Sequence, residues 1–397
     1  MRLKAYNPAW PLALAAREQA ARWQRQQLLS AAQQAQIEAA YPLDFYRPGW
    51  PLRVGLFLAS CLAISTGSGF IAAWSGIIDS SSFPWVISGL LFVGGCLFML
   101  EHFIRAKQHF RSGVDNALLY SALGGAALLI FHVFDTYIFN HQPLRISSAP
   151  SIWPLLCVLA AMVAALVRYA DALVAVVAFG VGVSCVGILA MQSALGHALL
   201  PFLLMLAAAA ALYGQGRLAR RPDASYYHSV LLTAKVMALA LFYLAGNYYA
   251  VREGNAALAG LATSTQIPFA PLFYCFTAII PLVYIAFGLR RHDRLLLLTG
   301  LLALAFSLFT LRYYRSLLPP EIAAIIGGAI LIIGAGAGLR YLRPARFGLT
   351  SEPDDEPRHF NLENLIVSQT ATVPDAPAPG FQFGGGQSGG GGATGSF

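Results

Sequence analysis

The sequence predicts an all-α fold, a polytopic transmembrane bundle of about ten helices with both termini on the cytoplasmic side. Three observations lead to this prediction: an apolar composition, regularly spaced apolar runs and an uneven distribution of basic residues. Hydrophobic residues make up 57% of the 397-residue chain and charged residues 11%, with a mean hydropathy of +0.61. Soluble domains contain about 45–50% and about 25%, respectively. A water-soluble fold of this size could not bury so much apolar surface.

Residues 1–50 form a separate segment, rich in Gln and Ala, before the first apolar run. It lacks the continuous apolar core of a signal peptide. We expect one helix over residues 10–29 and a second that ends before Pro42. Ser30 and Gln33 have the spacing of a capping box, which would start the second helix. This cytoplasmic hairpin, here called the headpiece, is expected to pack against the membrane face. Three interfacial aromatic residues then lead into the first span: Phe45, Tyr46 and Trp50.

Residues 51–342 contain ten apolar stretches of the length that a transmembrane helix requires. Crossing about 30 Å of hydrocarbon takes about 20 mostly apolar residues. The runs recur about every 30 residues, which fits helices joined by short loops in one bundle. The predicted spans cover residues 54–75, 83–104, 115–135, 150–168, 171–191, 197–214, 228–250, 267–289, 293–311 and 319–341.

The fourth and fifth spans are separated only by the short stretch from Arg168 to Asp171. One continuous helix of about 40 residues is the alternative. Such a helix would be about 60 Å long, twice the thickness of the hydrocarbon layer. We therefore predict a tight hairpin between these two spans.

The basic residues give the predicted bundle an orientation. With the N-terminus inside, 20 of the 26 Lys and Arg residues lie in the cytoplasmic segments next to the spans and four on the opposite side; Lys235 within a span and Arg358 in the tail complete the count. This bias alternates loop by loop, as the positive-inside rule requires. It predicts a bacterial inner-membrane protein whose main partner is the lipid bilayer. The net charge of +8 is therefore interpreted as a set of topology determinants, and no nucleic-acid partner is expected.

The remainder, residues 343–397, is predicted to be a mostly disordered cytoplasmic tail. Its end, residues 384–397, is a low-complexity Gly-rich sequence. Only residues 360–368 have the apolar spacing of a short amphipathic helix. The headpiece and this tail are the segments expected to contact protein partners at the cytoplasmic face.

Lys235 is the ionisable residue predicted to lie deepest in a span, about ten residues into the seventh helix. Ionisable groups at membrane depth are costly and mark functional candidates. Lys235 could be an ion-pair partner, a substrate counter-ion or a proton-coupled switch on the pathway of a substrate or ion. Alternatively, its long side chain snorkels to the cytoplasmic interface.

A second group of candidates lies near the predicted outer ends of the helices: Asn247, Asp135, His132, Arg312 and Glu321. His132 and Asp135 are three residues apart and are expected to share a helix face. Together these residues could line a polar pocket that opens outward. Several of them could instead be interfacial anchors, and no metal site is predicted because no second ligand pair accompanies His132 and Asp135.

Ser65 and Thr66 begin a polar, Gly-containing run, STGSG, within the first span. Such a run indicates either a discontinuous helix that binds a substrate or ion, or a surface for close helix packing. The five cysteines lie singly in apolar segments, as buried hydrophobic residues do. Nucleotide-binding, zinc-protease and serine-hydrolase motifs are missing from the sequence, so we expect no cofactor and consider an enzyme less favoured.

Four stretches of the sequence carry a resemblance to a known group of proteins. They are AYNPAW with FYRPGWPLR, GNYYAVREGN, RRHDRLLLLTGLLALAFSLFTLRYYRSLLPPE and RYLRPARFGLTSEP. With the Gly-rich end GGGGATGSF, the chain resembles an uncharacterised family of bacterial multi-pass inner-membrane proteins with a short N-terminal helical headpiece. The resemblance implies the same class of protein and carries no mechanism.

Three functions remain open from the sequence. The first is a secondary transporter or carrier of a small solute, which predicts that Lys235, Asn247, Asp135 and the STGSG run converge on one cavity. The second is a membrane scaffold or assembly protein that recruits partners through the headpiece and tail. The third is an intramembrane enzyme acting through His132, Asp135 or Glu321, which requires those groups to lie within about 4 Å of one another or of a metal.

Overall fold

A computed structural model of the chain describes residues 3–78, 82–139 and 149–314, with isolated positions between 325 and 340. Within these ranges the fold is all-α, as predicted. The helices are α1 (Ala9–Arg25), α2 (Ala31–Ala40), α3 (Trp50–Ile78), α4 (Ser82–Ala106), α5 (Val114–Val133), α6 (Ile152–Tyr169), α7 (Ala172–Met191), α8 (Ala194–Leu218), α9 (His228–Gly246), α10 (Tyr248–Leu258), α11 (Ala270–Arg290) and α12 (Arg294–Tyr314).

Nine of the described helices are long and apolar enough to cross a membrane, namely α3 to α9, α11 and α12. They correspond to the first nine predicted spans and confirm a polytopic bundle. The predicted tenth span, 319–341, lies mostly outside the described residues, and the tail, 343–397, lies wholly outside them. Large apolar side chains point away from the bundle, among them Leu62, 71% exposed, and Leu302, 72% exposed. Such a surface suits lipid, and the chain is a multi-pass membrane protein.

The headpiece contains the two predicted helices. Ser30 accepts a hydrogen bond from the Gln33 backbone N–H, and the Gln33 side chain accepts one from the Ser30 N–H, which completes the capping box. Arg17 of α1 holds the end of α2 by donating to the carbonyl oxygens of Glu38 (2.5 Å) and Tyr41 (2.7 Å).

The predicted hairpin between spans four and five is confirmed. Ala170 adopts a left-handed conformation (φ 49°) and ends α6. Asp171 then caps α7, accepting hydrogen bonds from the backbone N–H groups of Leu173 and Val174. This cap supplies acceptors for N–H groups that have no partner inside the helix.

The predicted seventh span, 228–250, ends earlier than expected. Helix α9 stops at Gly246, Asn247 is extended (ψ 128°), and α10 begins at Tyr248 as a separate helix. Asn247 causes this break, because its side chain accepts the Ala250 N–H and so caps α10. Hydropathy could not show the break, because the aromatic residues after Asn247 continue the apolar run.

The headpiece packs against one end of the bundle, here called the headpiece face. Tyr6 lies in a buried aromatic cluster with Phe110 of the α4–α5 loop (ring centroids 5.1 Å apart) and Tyr169 at the end of α6 (6.5 Å). The Ala5 N–H donates to the Arg168 carbonyl oxygen at 2.9 Å. In the membrane, α5 packs against α3, α4 and α6, whereas α9 packs against α7, α8, α11 and α12.

Candidate functional site

A cavity of about 730 Å³ lies among α3, α4 and α5, in the half of the bundle away from the headpiece face. It contains two of the predicted site residues, Ser65 and His132, and is here called the serine–histidine cavity. None of its described lining residues is Asp, Glu, Lys or Arg. They are Ile64, Ser65, Ser68, Gly69, Trp85, Ser88, Gly89, Phe92, Ser121, Gly125, Leu128, Leu129 and His132.

Three of the four serines that line this cavity donate their hydroxyl hydrogen to the helix backbone. Ser65 Oγ donates to the Cys61 carbonyl oxygen (2.8 Å), Ser68 Oγ to that of Ser65 (2.9 Å) and Ser88 Oγ to that of Pro84 (2.8 Å). Each hydroxyl has one hydrogen, which this bond to the helix backbone uses. The oxygen lone pairs remain free to accept hydrogen bonds from a ligand.

His132 lines the cavity and also carries a buried polar atom without a described partner. Its Nε2 is buried and has no hydrogen-bond partner among the described residues. A buried polar atom without a partner is destabilising, and such atoms in native proteins call for an explanation. In a neutral imidazole Nε2 either donates or accepts, so it can pair with a hydroxyl or an amide.

The expected pairing of His132 and Asp135 on one helix face is altered by a π-helical turn, Phe134–Ile138. A π-turn widens the helix and changes its register, and such turns are frequent at functional sites. Asp135 lies within this turn and outside the residues that line the cavity. The buried Thr136 hydroxyl in the same turn has no hydrogen-bond partner among the described residues.

The glycines around the cavity divide into two kinds. An added Cβ at Gly125 would lie 2.9 Å from the Phe92 ring, and one at Gly89 would lie 2.9 Å from Leu129, so these glycines permit close packing of α4 on α5. A Cβ at Gly67 or Gly69 would meet no atom of the described residues within 4 Å. The STGSG run is not a helix break, because α3 is continuous, and close packing at its glycines stays a prediction.

Lys235 lies elsewhere, in an ion pair with Asp293 of the α11–α12 loop. Burial acts to raise the pKa of the Asp293 carboxyl, but the bond from Lys235 and the Leu296 N–H outweigh it and hold the pKa below its ordinary value. Asp293 also caps α12 through the Leu296 N–H (3.2 Å). Each side chain of the pair is 24% exposed, so both groups are partly desolvated. The negative charge of Asp293 compensates the positive charge of Lys235.

Asn247 lies at the other end of α9, fully buried. Its Nδ2 donates to Tyr243 Oη (2.9 Å) and Thr310 Oγ1 (3.1 Å), which ties α9 to α12. Eleven residues separate Lys235 from Gly246, or about 16 Å along the helix. Lys235 and Asn247 thus do not share a site with each other, and neither lines the serine–histidine cavity.

The other predicted residues also lie apart. Thr66 is exposed, its hydroxyl bonded to the Leu62 carbonyl oxygen, and does not line the cavity. Arg312 is exposed at the end of α12, as expected of an interfacial anchor. Glu321 lies outside the described residues. Beyond Asn247, α10 carries a polar group absent from the predicted set: Glu253 accepts from Ser264 Oγ (2.7 Å) and from Tyr314 Oη.

The headpiece face contains a network of buried carboxylates that the sequence did not reveal. Asp115, fully buried in the first turn of α5, accepts hydrogen bonds from Tyr6 Oη (2.7 Å), the Arg111 N–H (2.7 Å) and both the N–H and hydroxyl of Ser112. Burial and this carboxylate raise the pKa of the Tyr6 hydroxyl well above its ordinary value, so Tyr6 remains a donor. The network binds the headpiece to the bundle.

Two further carboxylates extend this network across the headpiece face. Besides capping α7, Asp171 accepts from Asn116 Nδ2 (3.0 Å) and Tyr120 Oη (3.1 Å) of α5. Glu101 of α4 accepts from Arg168 Nε (2.7 Å) and Tyr169 Oη (2.8 Å) of α6. The sequence did contain one signal for Asp115 and Asp171, because the helix dipole favours acidic residues at the start of a helix.

Comparisons with known proteins give no relative: no family model, curated protein or solved structure matches the chain. Among the described residues, no group of three or more His, Cys, Asp or Glu could hold a metal ion. The functional argument therefore rests on the geometry of the sites themselves.

Proposed function

We propose that the protein is a membrane carrier of a small, uncharged solute with hydroxyl or amide groups, and that the serine–histidine cavity binds this solute. The observation that carries the proposal is a cavity lined by His132, whose buried Nε2 has no partner among the described residues, and by serines whose hydroxyl oxygens can accept hydrogen bonds. The sequence-based version of the carrier hypothesis included Lys235 and Asn247. Their separate positions remove them from the site.

The chemistry of the walls selects the class of solute. Free serine lone pairs favour a ligand that donates hydrogen bonds, and Trp85 and Phe92 offer apolar surface to its carbon skeleton. A charged ligand would be desolvated without an opposite charge among the described lining residues, at a cost of several kcal/mol. Polyols and small amides meet both conditions.

Solute uptake into proteoliposomes tests this proposal. After an osmotic shock with glycerol, erythritol or urea, stopped-flow light scattering measures how fast the vesicles reswell. We expect reswelling with at least one of these solutes to be faster than in protein-free liposomes. Rates equal to those of protein-free liposomes for all three would contradict the proposal.

Two serines provide a matched pair for this assay. Ser65 and Ser184 are both exposed, and both donate to the carbonyl oxygen four residues earlier, at 2.8 Å and 2.9 Å. Only Ser65 of this pair lines the serine–histidine cavity. We expect S65A to slow uptake about fivefold, the effect of one lost hydrogen bond, and S184A to leave uptake unchanged.

We further propose that the membrane is a bacterial inner membrane, with the headpiece face in the cytoplasm, and that the chain belongs to the family that its sequence resembles. The basic residues support the orientation, since the loops α4–α5, α6–α7 and α8–α9 that meet the headpiece are among those assigned inside. Labelling of a cysteine placed at the exposed Asp44, in spheroplasts with a membrane-impermeant maleimide, tests the orientation. No labelling until the cells are lysed is expected.

A scaffold or assembly protein is the second candidate function. It is favoured by α2, none of whose residues is buried, although Arg17 fixes its position. An ordered helix with a free surface at the predicted cytoplasmic face is suited to a protein partner. Deletion of residues 27–41 separates the two functions: it would abolish partner recovery in a co-purification and leave solute uptake intact.

A further inference from the structure

Two arginines approach each other where the headpiece chain meets the α4–α5 loop. The Tyr46 N–H donates to this loop at 2.9 Å, and the Phe110 N–H donates back to the Tyr46 carbonyl oxygen at 3.1 Å. This pairing is parallel. The bridge pairs Tyr46 with His109. Arg47 follows Tyr46, and Arg111, two residues beyond His109, lies close enough for its charge to act on Arg47.

A third arginine joins them from the first turn of α3. Gly113 has a φ of 101°, and a Cβ there would lie 2.3 Å from the Arg53 carbonyl oxygen. Only glycine adopts this backbone conformation without strain and leaves room for α3. Gly113 thus allows the start of α3, with Arg53, to contact the loop that carries Arg111.

The three guanidinium groups differ in their partners. Arg111 donates to the Ala170 carbonyl oxygen (2.9 Å) and to Ser229 Oγ (2.7 Å). The Nε atoms of Arg47 and Arg53 are buried and have no hydrogen-bond partner in the part of the chain that the structure describes. Arg47 Nη1 forms an ion pair with Glu18 Oε1 at 3.7 Å.

Repulsion between neighbouring positive charges adds to the cost of leaving these buried Nε atoms without a described acceptor. Burial and the neighbouring Arg53 lower the pKa of the Arg47 guanidinium below its ordinary value. Neighbouring guanidinium groups repel each other, and a phosphate or carboxylate bound beside them would offset that repulsion.

The surroundings point to a lipid as the source of the anion. Trp50 is 74% exposed and Leu52 is 54% exposed at the start of the first span, and no residue of its most apolar stretch is buried in the protein. An anion held by Arg47 and Arg53 would therefore lie at headgroup level, with a lipid-facing helix below it.

We propose that Arg47 and Arg53 form a binding site for the phosphate of an anionic phospholipid, whose acyl chains lie along α3. Arginine suits this role because its planar guanidinium can give two parallel hydrogen bonds to phosphate oxygens. The site is distinct from the serine–histidine cavity and independent of the carrier function.

Native mass spectrometry of the full-length protein tests the site. The protein is released from nanodiscs of phosphatidylcholine containing a minority of phosphatidylglycerol, and the retained phosphatidylglycerol is counted. We expect R47Q/R53Q to retain one molecule fewer than the wild type, with affinity reduced about tenfold or more. The control R220Q/R221Q removes the same charge from exposed arginines between α8 and α9 and should retain the wild-type number.

Three results would overturn the proposal. The first is equal retention by R47Q/R53Q and the wild type. The second is an equal loss in R220Q/R221Q, which would show a general effect of charge. The third is thermal stabilisation by inorganic phosphate, in phosphatidylcholine nanodiscs, as large as that by phosphatidylglycerol, which would identify a free anion as the ligand. R53K keeps the charge without Nε and is expected to bind with intermediate affinity, a result that stays informative if the double variant folds poorly.

Discussion

Two polar regions of this membrane protein, the Asp115 and Asp171 carboxylates at the headpiece face and the serine–histidine cavity, differ in how their polar atoms are hydrogen-bonded. Both carboxylate oxygens of Asp115 accept two hydrogen bonds each, and both oxygens of Asp171 accept as well. At the cavity, His132 Nε2 has no partner in the part of the chain that the structure describes, and the oxygens of Ser65, Ser68 and Ser88 can still accept hydrogen bonds. The network carries charge, whereas no charged residue is among the described lining residues of the cavity.

This difference separates a structural role from a binding role. A buried polar group that is fully hydrogen-bonded stabilises one arrangement of the chain and leaves nothing for a ligand to bind. A buried polar group without a partner destabilises the empty protein and is satisfied when a ligand arrives. The following predictions test the comparison by changing one atom group in each region.

Asp115→Asn should have the largest effect on stability. The amide keeps one acceptor oxygen and turns an NH₂ group toward donors that faced a carboxylate, including the Arg111 and Ser112 N–H groups. We expect the free energy of unfolding to fall by about 3 kcal/mol. Thermal melting in detergent measures this loss. Asp44→Asn, an exposed carboxylate of the headpiece, is the control and should melt as the wild type does.

His132→Phe should stabilise the protein, whereas Asp115→Asn destabilises it. The change at His132 replaces an unpartnered buried Nε2 with carbon and should raise the free energy of unfolding by about 1 kcal/mol, while solute uptake falls about tenfold. Melting and the light-scattering assay are measured on the same preparation. His102→Phe, at an exposed histidine of α4, should change neither. A clear loss of stability in His132→Phe would show that His132 has a structural role and would contradict the comparison.

Tyr6→Phe measures how much one hydrogen bond to Asp115 contributes to the free energy of unfolding. It removes one donor to Asp115, while the Arg111 and Ser112 donors remain. We expect a loss of about 1 kcal/mol, less than for Asp115→Asn, because the carboxylate stays largely satisfied. Double-mutant melting of Tyr6→Phe with Asp115→Asn should show losses that are not additive. Additive losses would mean that the two groups do not interact.

Lys235→Met should have the smallest effect. The pair with Asp293 is partly exposed, so its removal should cost about 1 kcal/mol or less, and solute uptake should not change. The pKa of Asp293 is held below its unfolded value of about 3.9, so the pair stabilises above that pH and the contribution disappears as pH falls through the folded pKa. Melting curves of wild type and Lys235→Met should therefore converge below about pH 3.9. Loss of uptake in Lys235→Met would mean that Lys235 takes part in solute binding.

The regularities that could be predicted from the sequence are those that depend on neighbours along the chain. Helix spans follow from apolar length, the capping box from the spacing of Ser30 and Gln33, and the hairpin after Tyr169 from the limit that bilayer thickness sets on a helix. Ser65 and His132 were also named from local chemistry, and the fold brings them to one cavity. Their association with Lys235 and Asn247 was not found.

What the sequence by itself determined is the class of the protein, since an apolar chain of this length has a favourable environment only in a bilayer. The tertiary structure decided which polar groups have partners. Asp115 and Tyr6 are 109 residues apart in the chain and meet at 2.7 Å, whereas Lys235 reaches Asp293 and His132 Nε2 reaches nothing among the described residues. Hydropathy reports the cost of burying each group separately, but whether a hydrogen bond offsets that cost depends on atoms that only folding brings together.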